Sequence, residues 1–177
     1  MEKYAELRYD EELLAPSALL ELYKITPDDQ ARIREMGEKA GDQLGLALAE
    51  FYDWLSREQW FEEFFTDEAV LERVKHLQHE YWQAFISADV DEDYVHRRRI
   101  VGEVHARIGL PLNAYFAGMN VLQESFAGLI EETMPADSRA NVLESASQLM
   151  HLDTSIGVDP SNRAFQAAIR EQSDTIS

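Results

Sequence analysis

The sequence predicts an all-α protein, and three observations carry that prediction. Apolar residues recur at three- and four-residue steps over most of the chain, no stretch alternates with period two over a strand length, and no internal repeat is visible. Start and stop signals then divide the chain into about six helices longer than usual.

Taken in order, a short helical pattern runs from about Tyr9 to Leu22, interrupted by Pro16, and reads as an N-terminal extension over residues 1–25. Thr26-Pro27-Asp28-Asp29 is a helix start: a capping hydroxyl, proline at the first helical position, and acids in the first turn. That helix reaches about Lys39. Gly41 allows a bend into a second one carrying Leu44, Leu48, Phe51, Tyr52 and Leu55. Thr66 and Asp67 open a third, with Val70, Val74, Leu77, Tyr81 and Phe85 at helical spacing, and the polar stretch from Ser87 to Asp91 ends it.

A fourth helix spans about Asp91 to Gly109. Gly109 suits the left-handed cap, and Pro111 cannot continue the helix but suits the first turn of the next. The fifth runs from Pro111 to Thr133 with Tyr115, Met119, Leu122, Phe126 and Ile130 on one face, and Pro135 stops it. A sixth begins at Asp137 and continues at least to Ile156. Gly157-Val158-Asp159-Pro160 is expected to break it, leaving residues 157–177 as a tail or the start of a linker.

Composition narrows the function. A chain of 177 residues, 45% of them apolar, is long enough for one domain with a real core. Sixteen basic against 34 acidic residues give a formal charge of −18, which argues against nucleic acid and anionic membrane surfaces. With no cysteine, any metal must be held by His, Asp, Glu or Tyr. The polar, acidic opening Met1–Glu6 does not look like a secretory leader, and no run approaches a membrane span, so a cytoplasmic protein is expected.

Few residues carry chemistry. His76 and His79 form an H-x-x-H pair without supporting ligands and read as a solvated face. His96-Arg97-Arg98-Arg99 wraps around its helix, so salt bridges to the surplus acids explain it better than a patch for an anionic cofactor group. His151, near Asp153, reads as structural. There is no Ser/His/Asp order, phosphate loop or defensible carboxylate pair.

His105 differs, because Val101, His105 and Ile108 fall at i, i+4 and i+7 on an apolar stripe. A buried imidazole there needs a polar partner or a metal, since leaving it unpaired costs about 1–3 kcal/mol. One reading is a core histidine bonded to a backbone carbonyl. The other is the proximal ligand of a b-type haem, an apolar disc that needs a slot between helices and one nitrogen on iron.

Here the sequence resembles the sensor globin domain of globin-coupled sensors. Val104-His105-Ala106-Arg107-Ile108-Gly109-Leu110-Pro111 is similar to the family's proximal-helix signature, and Glu50-Phe51-Tyr52 to the site of its distal tyrosine. The segment from Val74 through Tyr81-Trp82 to Ser87-Ala88 is a third match, and the resemblance covers about residues 20–155.

The resemblance implies a globin-like helical sandwich over residues 26–156, haem b on His105, and oxygen or another diatomic gas as ligand with Tyr52 donating a hydrogen bond to it. Val74, Leu77, Gln78, Tyr81, Val101, Ile108, Tyr115 and Met119 would complete the pocket, and whether Leu77 or Gln78 faces the ligand stays open. It also implies a homodimer through helices 111–134 and 137–156, and a non-catalytic sensor signalling to an output domain absent from this chain. The wording from Ala106 to Pro111 is closer to the diguanylate cyclase branch. Two alternatives remain: a haem-free globin-fold interaction module, and an oxygen- or nitric-oxide-consuming enzyme, which would need an electron donor.

Overall fold

A computed structural model describes residues 15–176. Among them are eight α-helices: α1 (Pro16–Leu22), α2 (Pro27–Ala40), α3 (Leu44–Leu55), α4 (Phe61–Phe64), α5 (Glu68–Ser87), α6 (Glu92–Arg107), α7 (Leu112–Thr133) and α8 (Arg139–Ile176). The fold class is the expected one. The helical pattern before residue 15 lies outside the described residues, and Pro16 opens α1 at its first turn instead of interrupting a helix.

Local signals place the helix starts. The Thr26 hydroxyl accepts from the Asp29 amide at 3.3 Å while the Asp29 carboxylate accepts from the Thr26 amide at 2.8 Å, a reciprocal capping box at the head of α2. Gly41–Gln43 forms a single 3-10 turn between α2 and α3. Asp67 and Asp91 cap α5 and α6 through 2.8 Å bonds from the Val70 and Tyr94 amides. Gly109 takes φ 70° after α6, and the Leu110 amide returns to the His105 carbonyl at 3.0 Å.

Packing centres on α8, which lies against α6, α2 and α7; α3 packs on α7, and α5 on α2 and α3. Trp82, Phe85 and Phe126 interlock at centroid distances of 5.2–5.3 Å among buried Ile33, Met36, Leu149 and Leu152. By contrast α5 and α6 share little direct backbone contact.

One expectation fails here. Residues 157–160 do not break the last helix, because α8 runs through them with Pro160 inside. Gly157 is where α6 and α8 approach closely: a β-carbon at Gly102 would sit 2.6 Å from the Gly157 carbonyl oxygen, and one at Gly157 would collide with the Tyr115 hydroxyl. Glycine is demanded there by tertiary contact, which outweighs its poor helix propensity of about 1 kcal/mol. Across Pro160, Asp159 and Arg163 form an i, i+4 ion pair at 2.6 Å that supports the next turn.

Candidate functional site

The histidine singled out by its spacing stands near the end of α6, half-buried, with its ring 5.3 Å from that of Tyr115 on α7. Burial lowers its pKa below the ordinary 6.5, which keeps the imidazole neutral near pH 7. Its Nδ1 is buried without a partner.

Two other side chains share that condition. The Tyr52 hydroxyl on α3 is buried and unpartnered, and burial raises its pKa, so it stays a protonated donor. Its ring lies against α5, with the Lys75 ammonium 5.6 Å from the ring centroid. Gln78, one turn further along α5, has a buried Oε1 with no partner. Of the five such side-chain atoms among the described residues, three belong to these groups. Since native proteins pair nearly all buried polar atoms, each of the three is a group that a ligand would satisfy.

Several sequence-chosen neighbours take compatible places. Val74, Val101, Tyr115 and Met119 are half-buried on α5, α6 and α7. Leu77 and Ile108 are more exposed, at 52% and 47%. Successive helical positions differ by about 100° in direction, so burying Gln78 turns Leu77 outward. Likewise Ile108 is the residue just past the end of α6, where the stripe no longer holds.

Tyr81 is engaged elsewhere. Its hydroxyl donates to Asp153 Oδ2 on α8 at 3.2 Å, and Tyr94 on α6 donates to Asp153 Oδ1 at 2.8 Å. Arg98, also on α6, donates from Nε to the same carboxylate at 3.1 Å and from Nη2 to the Tyr81 carbonyl at 3.0 Å. The guanidinium lies 3.9 Å and 3.6 Å from the Tyr81 and Tyr94 ring centroids. Burial opposes the charge on Arg98, but the Asp153 carboxylate outweighs it and keeps the guanidinium protonated.

Sequence reading missed this cluster. A signal was present: Tyr94, Arg98, Val101 and His105 fall at i, i+4, i+7 and i+11, so a cation sits on the same stripe as the histidine. Surface pairing does account for Arg97, which meets Asp93 at 2.7 Å. His151 is exposed, not part of the core, and His76 is exposed with Glu80 at 3.5 Å. No group of three or more potential metal-ligating side chains occurs among the described residues.

The protoglobin family model matches residues 16–164. The chain belongs to the protoglobin family. Membership in this globin family implies haem binding, and the fold of the chain is that of sensor globins. The globin domain of a Geobacter sulfurreducens globin-coupled sensor is similar over 83% of this chain and 97% of its own, at 20% identity and TM-score 0.75. The globin domain of E. coli DosC is similar in its ferric form over 84% and 97%, at 24% identity and TM-score 0.64. Its ferrous form matches over 81% and 95%, at 24% identity and TM-score 0.66. No curated protein matched in sequence.

The residues fit such a cofactor. A neutral imidazole on α6 with a buried, unpartnered nitrogen, a phenol on α3 and an amide on α5 with buried, unpartnered oxygens, and half-buried apolar Val74, Val101 and Met119 are the donor set and lining such a group needs. No helix among the described residues is long and apolar enough to cross a membrane.

Proposed function

We propose that this protoglobin-family chain is a haem-based gas sensor domain with its slot between α5 and α6. The observation that carries the reading is the trio of buried, unpartnered polar atoms on Tyr52, Gln78 and His105. Haem b supplies an iron with one open position for oxygen or another diatomic gas. His105 would hold the iron through its neutral imidazole, and Tyr115 packs on that ring and orients it. The Tyr52 hydroxyl would donate a hydrogen bond to the bound gas, and Gln78 would add a second polar contact. Val74, Val101 and Met119 exclude water.

In this reading a ligand-dependent shift of α6 reaches α8 at the Gly102–Gly157 crossing, where the backbones are in contact. From α7 and α8 the shift passes to a second copy of the chain and to an output domain of the diguanylate cyclase kind. The test is the absorption spectrum of the purified protein, reduced, with and without oxygen or carbon monoxide. A Soret band that survives dialysis, moves with each gas and is absent from His105→Ala is expected. A colourless protein after haem reconstitution would leave a haem-free interaction module.

A further inference from the structure

We propose that Asp153 is a positioning residue that pins the distal helix α5 and the proximal helix α6 at a fixed separation, through Tyr81 and Arg98. The inference rests on the gas-sensor reading for its purpose, but its geometry stands alone. Asp153 and Arg98 have side chains only 0% and 1% exposed. A buried ion pair is a poor source of net stability, because both charges leave water, so what it supplies here is geometry.

The tie is placed where the two backbones share little direct contact. Since α5 and α6 barely touch, the bonds from Tyr81 to Asp153 and from Arg98 to the Tyr81 carbonyl form a bridge between them. Asp153 and Arg98 each lie four residues before Gly157 and Gly102, so α6 is fixed to α8 on two successive turns. On the other side, Tyr81 lies three residues after Gln78 and seven after Val74 on the same α5 face. The carboxylate therefore sets how far the Val74–Gln78 stretch stands from the helix that carries His105.

Two phenylalanine variants separate positioning from plain stability. Tyr81→Phe removes a hydroxyl bond that joins α5 to α8. Tyr94→Phe removes one that joins α6 to α8, which Arg98 and the glycine crossing already hold together.

Two readouts are used: transfer of haem to an excess of an acceptor globin, and amide hydrogen exchange of residues 74–81 in the haem-free protein. Tyr81→Phe is expected to speed both at least about tenfold, the effect of losing one hydrogen bond to a charged group, while Tyr94→Phe leaves both within about twofold. Equal effects of the two variants on residues 74–81 would overturn the proposal. Asp153→Asn is expected to match or exceed Tyr81→Phe, and if it fails to fold the phenylalanine pair still decides. Should the wild type take up no haem, the sensor reading falls, yet the exchange arm still tests the pin.

Discussion

Tyr52 carries a hydroxyl shut away from water with nothing to bond, and such a group is costly unless a ligand completes it. That gives its substitution two signatures of opposite sign. In the haem-free protein Tyr52→Phe removes an unpaired polar atom, so unfolding free energy should hold or rise by up to about 1 kcal/mol. In the haem-bound protein the same change should speed oxygen release about tenfold by stopped flow while haem is retained, the loss of one well-placed hydrogen bond. A structural tyrosine would do the reverse, destabilising the fold without touching oxygen. Gln78→Leu should follow Tyr52→Phe in direction, and Leu77→Ala, at an exposed position, should leave oxygen release unchanged. The sequence could not separate Leu77 from Gln78, because adjacent positions on one helix differ only by rotation, and that rotation is set by packing. It did expose His105 and Tyr52 through a specific string and a spacing. Asp153 stayed hidden because Arg98 lies 55 residues away in the chain.

At the scale of an element, Asp29 shows how one side chain ties a helix start to the rest of the body. Its Oδ1 accepts from Ser145 on α8 at 2.8 Å and from Arg32 at 2.9 Å, beside the capping box with Thr26. Burial alone would raise its pKa, but the Thr26 and Ser145 hydrogen bonds and the Arg32 charge bring it below the ordinary 3.8. A carboxylate depressed in the fold contributes stability that is fully present above its unfolded value and is lost as pH falls through the lower, folded one. Asp29→Asn should therefore cost about 1–2 kcal/mol near neutrality by urea unfolding, and flatten the acid limb of the stability–pH curve below about pH 4. An unchanged limb would show that Asp29 is not held ionised.

The glycines give a second contrast between elements. Gly157→Ala meets the Tyr115 hydroxyl and should lose about 2 kcal/mol by overpacking, whereas Gly128→Ala on α7 meets nothing within 4 Å and should gain about 0.5–1 kcal/mol. Helix signals in the chain located nearly every start, from Thr26 to Pro111, because caps act over four residues. They misjudged residues 157–160 for the same reason: local rules price glycine and proline without the α6–α8 contact that carries the helix through.

Across the whole molecule the longest helix outruns its support. Residues 162–175 of α8 are exposed, with Phe165 and Ile169 at 66% and 50% one turn apart. An isolated helix of this length is marginal in water, so it needs a partner, and the proposed homodimer through α7 and α8 supplies one. Phe116 on α7, also exposed, lines a surface groove with Val158 and Asn162 of α8. Carrying both Phe165→Ser and Ile169→Ser should therefore weaken self-association at least tenfold by sedimentation equilibrium, the loss of burial of two large apolar side chains. It should also reduce helical circular dichroism and leave the haem spectrum unchanged. Because each copy carries a formal charge of −18, added salt should tighten the dimer by screening its self-repulsion, up to the point where the Debye length falls below the spacing of surface charges. If the wild type sediments as a monomer at all salt concentrations, or the double substitution leaves association untouched, α8 does not dimerise through its exposed end and any signal must leave the domain by another surface.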